Sequence, residues 1–158
     1  MEKEITVDVP IQVAYNQWTQ FEEFPQFMEG VREVRQLDDR SLHWKAEIAG
    51  RLQEWDAVIT DQEPDRVIGW RSTSGAPNAG NVHFDAEGPD RTRVRLHMMY
   101  EPQGPIEGAV DALGFVSRQV EGDLQRFKTF IEGRGRETGA WRGEIHQAEP
   151  RGTQNPET

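Results

Sequence analysis

The chain has 158 residues, 18 Lys and Arg against 28 Asp and Glu, a formal net charge of −10, five Trp and no Cys. That length suits one domain whose core is large enough to hold a small pocket. The acidic surplus disfavours nucleic acid and anionic membranes as partners, and the missing thiols exclude disulfides, thiolate metal sites and a Cys nucleophile. The first five residues form neither a basic nor an apolar leader, and no apolar run nears the roughly 20 residues of a membrane span. A soluble, cytoplasmic, acidic globular protein is expected.

Ile5, Val7 and Val9 alternate with Glu4, Thr6 and Asp8, the period of two of a half-buried strand. Pro10 ends that strand and suits the first turn of a helix. Val13, Ala14, Trp18 and Phe21 then make a short helical stripe, and residues 24–28 a second aromatic-rich helical piece closed by Gly30. From 31 to about 101 the period is two almost throughout. Residues 31–37 make one strand. Leu42, Trp44, Ala46 and Ile48 share a face of the next, opposite His43, Lys45 and Glu47. Gly50 marks a turn, and Trp55, Ala57 and Ile59 are the inward set after it. Beyond the turn at residues 63–65 come Ile68, Trp70 and Ser72, then a Gly-, Ser-, Pro- and Asn-rich loop over 72–80. Val82 and Phe84 precede a turn at 88–90, and Val94, Leu96, Met98 and Tyr100 alternate with Arg93, Arg95, His97 and Met99. The sum is one initial strand and a meander of about six antiparallel strands.

Pro102 and Pro105 close the sheet, and a helix is predicted over roughly 106–133. Its apolar seam is Ile106, Val110, Leu113, Ser117, Val120, Leu124, Phe127 and Ile131, at spacings of three and four. Such a stripe needs an apolar partner, and the sheet face is the candidate. Residues 134–158 hold four apolar residues, Ala140, Trp141, Ile145 and Ala148. They are expected to form a polar, flexible tail after a domain of residues 1–133, with Trp141 the one residue able to dock.

This order of elements, α+β with two short helices after the first strand, resembles the helix-grip fold of the START and Bet v 1-like (SRPBCC) superfamily. Within it the chain is similar to the polyketide cyclase/dehydrase branch. Residues 7–15, from Val7 through Pro10 to Tyr15, and 21–28, from Phe21 through Pro25 to Met28, carry the likeness, with Trp55–Asp56–Ala57 and residues 122–128 supporting it. The resemblance implies a curved sheet of about seven strands wrapped around the long helix and enclosing a mostly apolar cavity. It also implies a lipid-, sterol-, hormone-, quinone- or polyketide-like ligand, and in some members ring closure and dehydration. In the aromatase/cyclase members it implies an inward Trp-x-Ser-x-Arg strand. With Trp55 as that Trp, Ala57 and Ile59 stand where Ser and Arg would, which removes a hydroxyl and a cation and puts cyclase chemistry in doubt.

The inward faces nominate Trp44, Trp55, Ile59, Trp70, Phe84, Met98, Tyr100, Leu113, Ser117 and Val120 as ligand-binding residues, with Phe24, Phe27 and Met28 as a lid. Each Trp brings a large apolar face and one N–H. They serve either as a stacking wall for a flat ligand or as plain core filling. Acid–base chemistry has three weak candidates, Tyr100, Ser72 and Arg71. Ser117 on a helix has a bland role open to it, bonding a carbonyl one turn back. His43, His83 and His97 each fall between apolar neighbours, so they point outward, and no metal or other cofactor is expected. The 72–80 loop lacks any phosphate-binding Gly pattern and is either a gate or a plain connection. Two functions stay open: binding of a small hydrophobic molecule, with or without cyclase/dehydrase-like activity, or a protein-interaction or chaperone-like module with a filled core. Nothing in the sequence sets the oligomeric state.

Overall fold

Residues 1–101 and 109–146 are described by a computed structural model, with the backbone alone for 109–112. Strand β1 (Glu2–Val7) leads into helix α1 (Ile11–Trp18) and a 3-10 helix (Phe21–Gln26). Then follow β2 (Val31–Gln36), β3 (Ser41–Ile48), β4 (Arg51–Glu63), β5 (Val67–Gly75), β6 (Asn78–Gly88), β7 (Arg91–Tyr100) and helix α2 (Ala109–Arg134). The strands form one antiparallel sheet in the order β1-β7-β6-β5-β4-β3-β2. Consecutive hairpins explain most of that order, and β1 returns to close it beside β7, Glu2 facing His97 and Val7 facing Thr92. This is the helix-grip arrangement. The predicted prolines 102 and 105 and Ile106 lie outside the described residues.

The core sits between the sheet and α2. Leu124, Phe127 and Ile131 are buried on α2, and the Phe127 ring lies 4.8 Å from Trp18 and 5.2 Å from Phe27. Tyr15 meets Phe84 edge-on at 5.4 Å. Aromatic pairs in this geometry add to plain area burial, so the two short N-terminal helices cap one end of the sheet as a block of rings.

Three features depart from the expectation. First, no long loop separates β5 from β6. β5 runs to Gly75 and β6 begins at Asn78, leaving Ala76 and Pro77 as the whole connection. The small and polar residues there close a hairpin: the Asn78 N–H donates to Ser72 Oγ at 3.0 Å, and Asn78 Nδ2 to the Ala76 carbonyl at 2.9 Å. Gly75 has φ 78° and lies so close to β4 that an added Cβ would come within 2.8 Å of Trp55 Cα.

Second, the first half of the α2 seam is rotated. Val116 is buried while Leu113 is 43% exposed, and Ser117 is half-buried. A four-residue spacing from Val116 to Val120 and Leu124 fits the helix as well as the predicted Leu113–Ser117–Val120 series, and packing on the sheet decides between them.

Third, residues 135–146 lie along α1 and β4, where a flexible tail was expected; 147–158 fall outside the described residues. Asn16 Nδ2 donates to Glu137 Oε2 at 2.7 Å, Thr138 N–H to Gln17 Oε1 at 2.8 Å and Trp141 N–H to Thr19 Oγ1 at 3.1 Å. Ile145 pairs with Gln62 through two backbone bonds of 2.7 and 2.9 Å, and is only 6% exposed. Arg142 lies 5.6 Å over the Tyr15 ring and 2.9 Å from Asp65. The buried side-chain amides of Asn16 and Gln17 on α1 need partners, and this segment supplies them from Glu137, Thr138 and Arg142.

Candidate ligand-binding cavity

A cavity of about 150 Å³ lies between α2 and the sheet. An apolar space of that order holds a benzene-sized molecule when dry. The alternation of β3, β4 and β5 aims Trp44, Trp55, Ile59 and Trp70 into it. Trp44 and Trp55 are direct cross-strand partners, so their indoles stack at 5.6 Å with 11° between planes. Ile59 faces Trp70 across the next pair. From β7 come Met98 and Tyr100, and from α2 Val120. The core is therefore open here, at odds with a wholly filled one.

The polar groups are few. Trp70 Nε1 donates to Asn78 Oδ1 at 2.9 Å, and Asn78 is itself committed to the hairpin, so neither has much left for a ligand. The Tyr100 hydroxyl bonds no described residue, and burial raises its pKa above 10.0, so at neutral pH it is a proton donor. Trp44 Nε1 is buried without a partner among the described residues. On α2, Gln119 and Asp123 join the wall.

The nominated residues divide. Trp44, Trp55, Ile59, Trp70, Met98, Tyr100 and Val120 meet around the cavity, as do Phe24 and Met28. Phe84 lies deeper, against Tyr15 and Trp18. Leu113 and Ser117 are off the wall because of the helix rotation. Phe27 is 2% exposed and packs on Phe127 and Phe130, so it belongs to the core beneath the wall. Ser72 is tied to the Asn78 N–H, and Arg71 is exposed. From sequence, Asn78 falls in a loop and neither Gln119 nor Asp123 is nominated. Their only signal was position: Gln119 lies one residue before seam residue Val120 and Asp123 three after it.

The three histidines point outward. His43 sits between two carboxylates on the solvent face of the sheet, Nδ1 2.6 Å from Asp56 and Nε2 2.9 Å from Glu54. Ser74 donates to the second oxygen of Asp56 at 2.9 Å. Among the described residues no group of three potential ligands could hold a metal ion, and no described helix is long and apolar enough to cross a membrane.

Residues 7–129 match the family described as polyketide cyclase/dehydrase and lipid transport. The chain belongs to that family. An uncharacterized 17.2 kDa protein of Streptomyces lincolnensis is 49% identical over 146 residues, covering 92% of this chain and 97% of its own. Among solved structures, a Deinococcus radiodurans protein superposes with a TM-score of 0.66 at 29% identity, over 85% of this chain and 96% of its own. A Streptomyces aromatase/cyclase reaches 0.74 at 17% identity, over 89% and 98%. A Mycobacterium smegmatis START superfamily protein gives 0.71 at 15%, over 85% and 97%. The last two establish the shared fold, and membership of the polyketide cyclase/dehydrase family makes this a ligand-binding fold.

Proposed function

We propose that the protein binds a small, flat, hydrophobic molecule of the lipid, quinone or polyketide-like aromatic class between α2 and the sheet. The observation that carries this reading is the cavity of about 150 Å³ faced by the stacked Trp44–Trp55 pair. Stacked indoles offer one continuous apolar surface, and a fused-ring or polyene ligand covers it at little entropic cost. The aromatase/cyclase relative supports the aromatic class by likeness of fold. Native mass spectrometry of freshly purified protein, with organic extraction of what leaves on denaturation, tests it. A reproducible extra mass abolished by Trp55→Ala supports the reading. A clean apo mass, with no tryptophan-fluorescence response to lipids, quinones and polycyclic aromatics, counts against it.

One observation favours catalysis as a second reading: the Tyr100 hydroxyl stands in the wall with its proton held by burial. A phenol so placed donates to a ligand carbonyl and assists enolisation next to it. Turnover of a poly-β-ketone probe that disappears in Tyr100→Phe supports this reading, and full activity in that variant removes its acid.

A further inference from the structure

The wall supplied by α2 is apolar except at two neighbouring places, Gln119 and Asp123. They are four residues apart, so both lie on one face of the helix. The Asp123 side chain is 14% exposed. Its Oδ1 accepts two bonds, from the Glu29 N–H at 3.1 Å and from Arg126 Nη2 at 2.5 Å. Arg126 Nε donates in turn to the Phe27 carbonyl at 3.1 Å, so guanidinium and carboxylate are both fixed. Asp123 Oδ2 accepts nothing from any described residue. The Gln119 amide is also without a hydrogen bond among the described residues, and it is held against Gly30, where an added Cβ would come within 3.0 Å of Gln119 Nε2.

An anchor for the turn at 27–30 needs Oδ1 alone. It does not explain why a partly buried carboxylate at an apolar cavity leaves its second oxygen without a partner among the described residues, because such an oxygen loses water without gaining a donor. Burial accordingly raises its pKa above 3.8, against the pull of Arg126 and the Glu29 N–H. The free oxygen can only accept, and the free amide can donate.

We propose that Asp123 and Gln119 recognise a hydroxyl group on the ligand, Asp123 Oδ2 accepting its proton and Gln119 Nε2 donating to its oxygen. This rests on the ligand-binding reading of the cavity and narrows it to phenols, enols or alcohols. A pure hydrocarbon leaves the pair unused, and a ligand with carbonyls alone engages Gln119 but gives Asp123 Oδ2 no donor. Tyr100, in the same apolar cluster as Val116, supplies a donor elsewhere on the wall, so one molecule carrying a hydroxyl and a carbonyl engages both.

Two probes of nearly equal shape test this by calorimetry on the full chain: 2-naphthol, which has a hydroxyl proton, and 2-methoxynaphthalene, which does not. Wild type should prefer 2-naphthol by about tenfold, the worth of a hydrogen bond to a charged acceptor. Asp123→Asn keeps an acceptor for the Glu29 N–H and removes the charge. It should cut that preference at least fivefold (an order-of-magnitude figure from the same bond strengths), with 2-methoxynaphthalene affinity unchanged. Gln119→Leu, which leaves Asp123 and its anchor in place, should cut 2-naphthol affinity about threefold while that for naphthalene, which offers no oxygen to the amide, stays unchanged, and serves if the Asn variant folds poorly. Equal losses for both probes in Asp123→Asn, or for 2-naphthol and naphthalene in Gln119→Leu, would mark a structural role and overturn the proposal. An unchanged preference in Asp123→Asn with unchanged 2-naphthol affinity in Gln119→Leu, or no preference in wild type, overturns it too while the ligand-binding reading stands. Failure of wild type to bind either probe overturns both.

Discussion

The same chemical change at two tryptophans should have different consequences, because only one of them has a partner for its N–H. Trp70 Nε1 donates to Asn78 Oδ1 at 2.9 Å, whereas Trp44 Nε1 is buried with no partner among the described residues. Replacing either by Phe removes comparable ring area, a loss of about 1 kcal/mol for some 40 Å² at 25 cal/mol per Å². At Trp44 the substitution also removes an unsatisfied donor, whose burial costs about 1–3 kcal/mol. The two contributions offset, and Trp44→Phe should match wild-type stability or exceed it by up to about 2 kcal/mol. At Trp70 the substitution leaves Asn78 Oδ1 without its donor in a residue that is 8% exposed. Ring loss and the orphaned acceptor then add to about 2–4 kcal/mol. Urea unfolding of the three proteins reads the difference directly, provided the m-values agree. Equal destabilisation by the two variants, or the larger effect at Trp44, would refute the reasoning.

Other perturbations probe the hairpins, the solvent face and the C-terminal segment. A Cβ at Gly80 would overlap the His97 carbonyl and lie 2.8 Å from Trp70 Cη2, so Gly80→Ala should lose about 1–3 kcal/mol through overpacking; wild-type stability on urea unfolding would show that β7 gives way freely. Hydrogen bonds donated by His43 to Asp56 and then to Glu54 raise the imidazole pKa above its ordinary 6.5. That stabilisation is complete below pH 6.5, fades as pH rises through the higher folded value, and should vanish from the pH profile of the urea midpoint in His43→Gln; an identical slope in the variant would mean the clamp contributes nothing. Ile145→Ala, at a site 6% exposed, should cost about 2–4 kcal/mol. For a chain of this size that is roughly 4–15 °C in melting temperature; a free tail would show no shift in a thermal scan.

The meander was legible because residues 42–48, 55–59 and 94–100 alternate cleanly, and a sheet with one wet face imposes that alternation. The same alternation placed Trp44, Trp55, Trp70, Met98 and Tyr100 at the cavity, since phase within a strand is binary. Phase on α2 is continuous: Leu113 reaches Val120 by steps of four and three, Val116 by a single step of four. Only contact with the sheet chooses, and it chose Val116. Composition misled at residues 72–80: Gly, Ser, Pro and Asn signal a loop, yet the same residue types close a tight hairpin when Asn78 folds back onto Ala76. The docked segment was invisible for a related reason. Its hydrogen-bonding partners Asn16, Gln17 and Thr19 are polar residues inside a helix stripe, and nothing local says that they are buried. Asp123 and Gln119 were passed over by the rule that apolar residues line apolar spaces.

The pairing of β1 with β7 also sets a timetable for synthesis. Glu2 cannot meet His97 until both exist, and at 5–20 residues per second the roughly 95 residues between them take on the order of 5–20 s. Through that interval β1 waits as an orphan strand, and a free edge invites pairing with other chains. Its charges, Glu2, Lys3 and Glu4 beside one exposed-side Thr6, keep the nascent strand hydrated. Closure comes late, and the last partners of α1 arrive later still: Glu137, Thr138 and Trp141 follow theirs by 121 or 122 positions. Contacts so distant in sequence slow folding. A ribosome stalled before residue 137 would therefore carry a sheet already able to close over an α1 whose amides are still facing water.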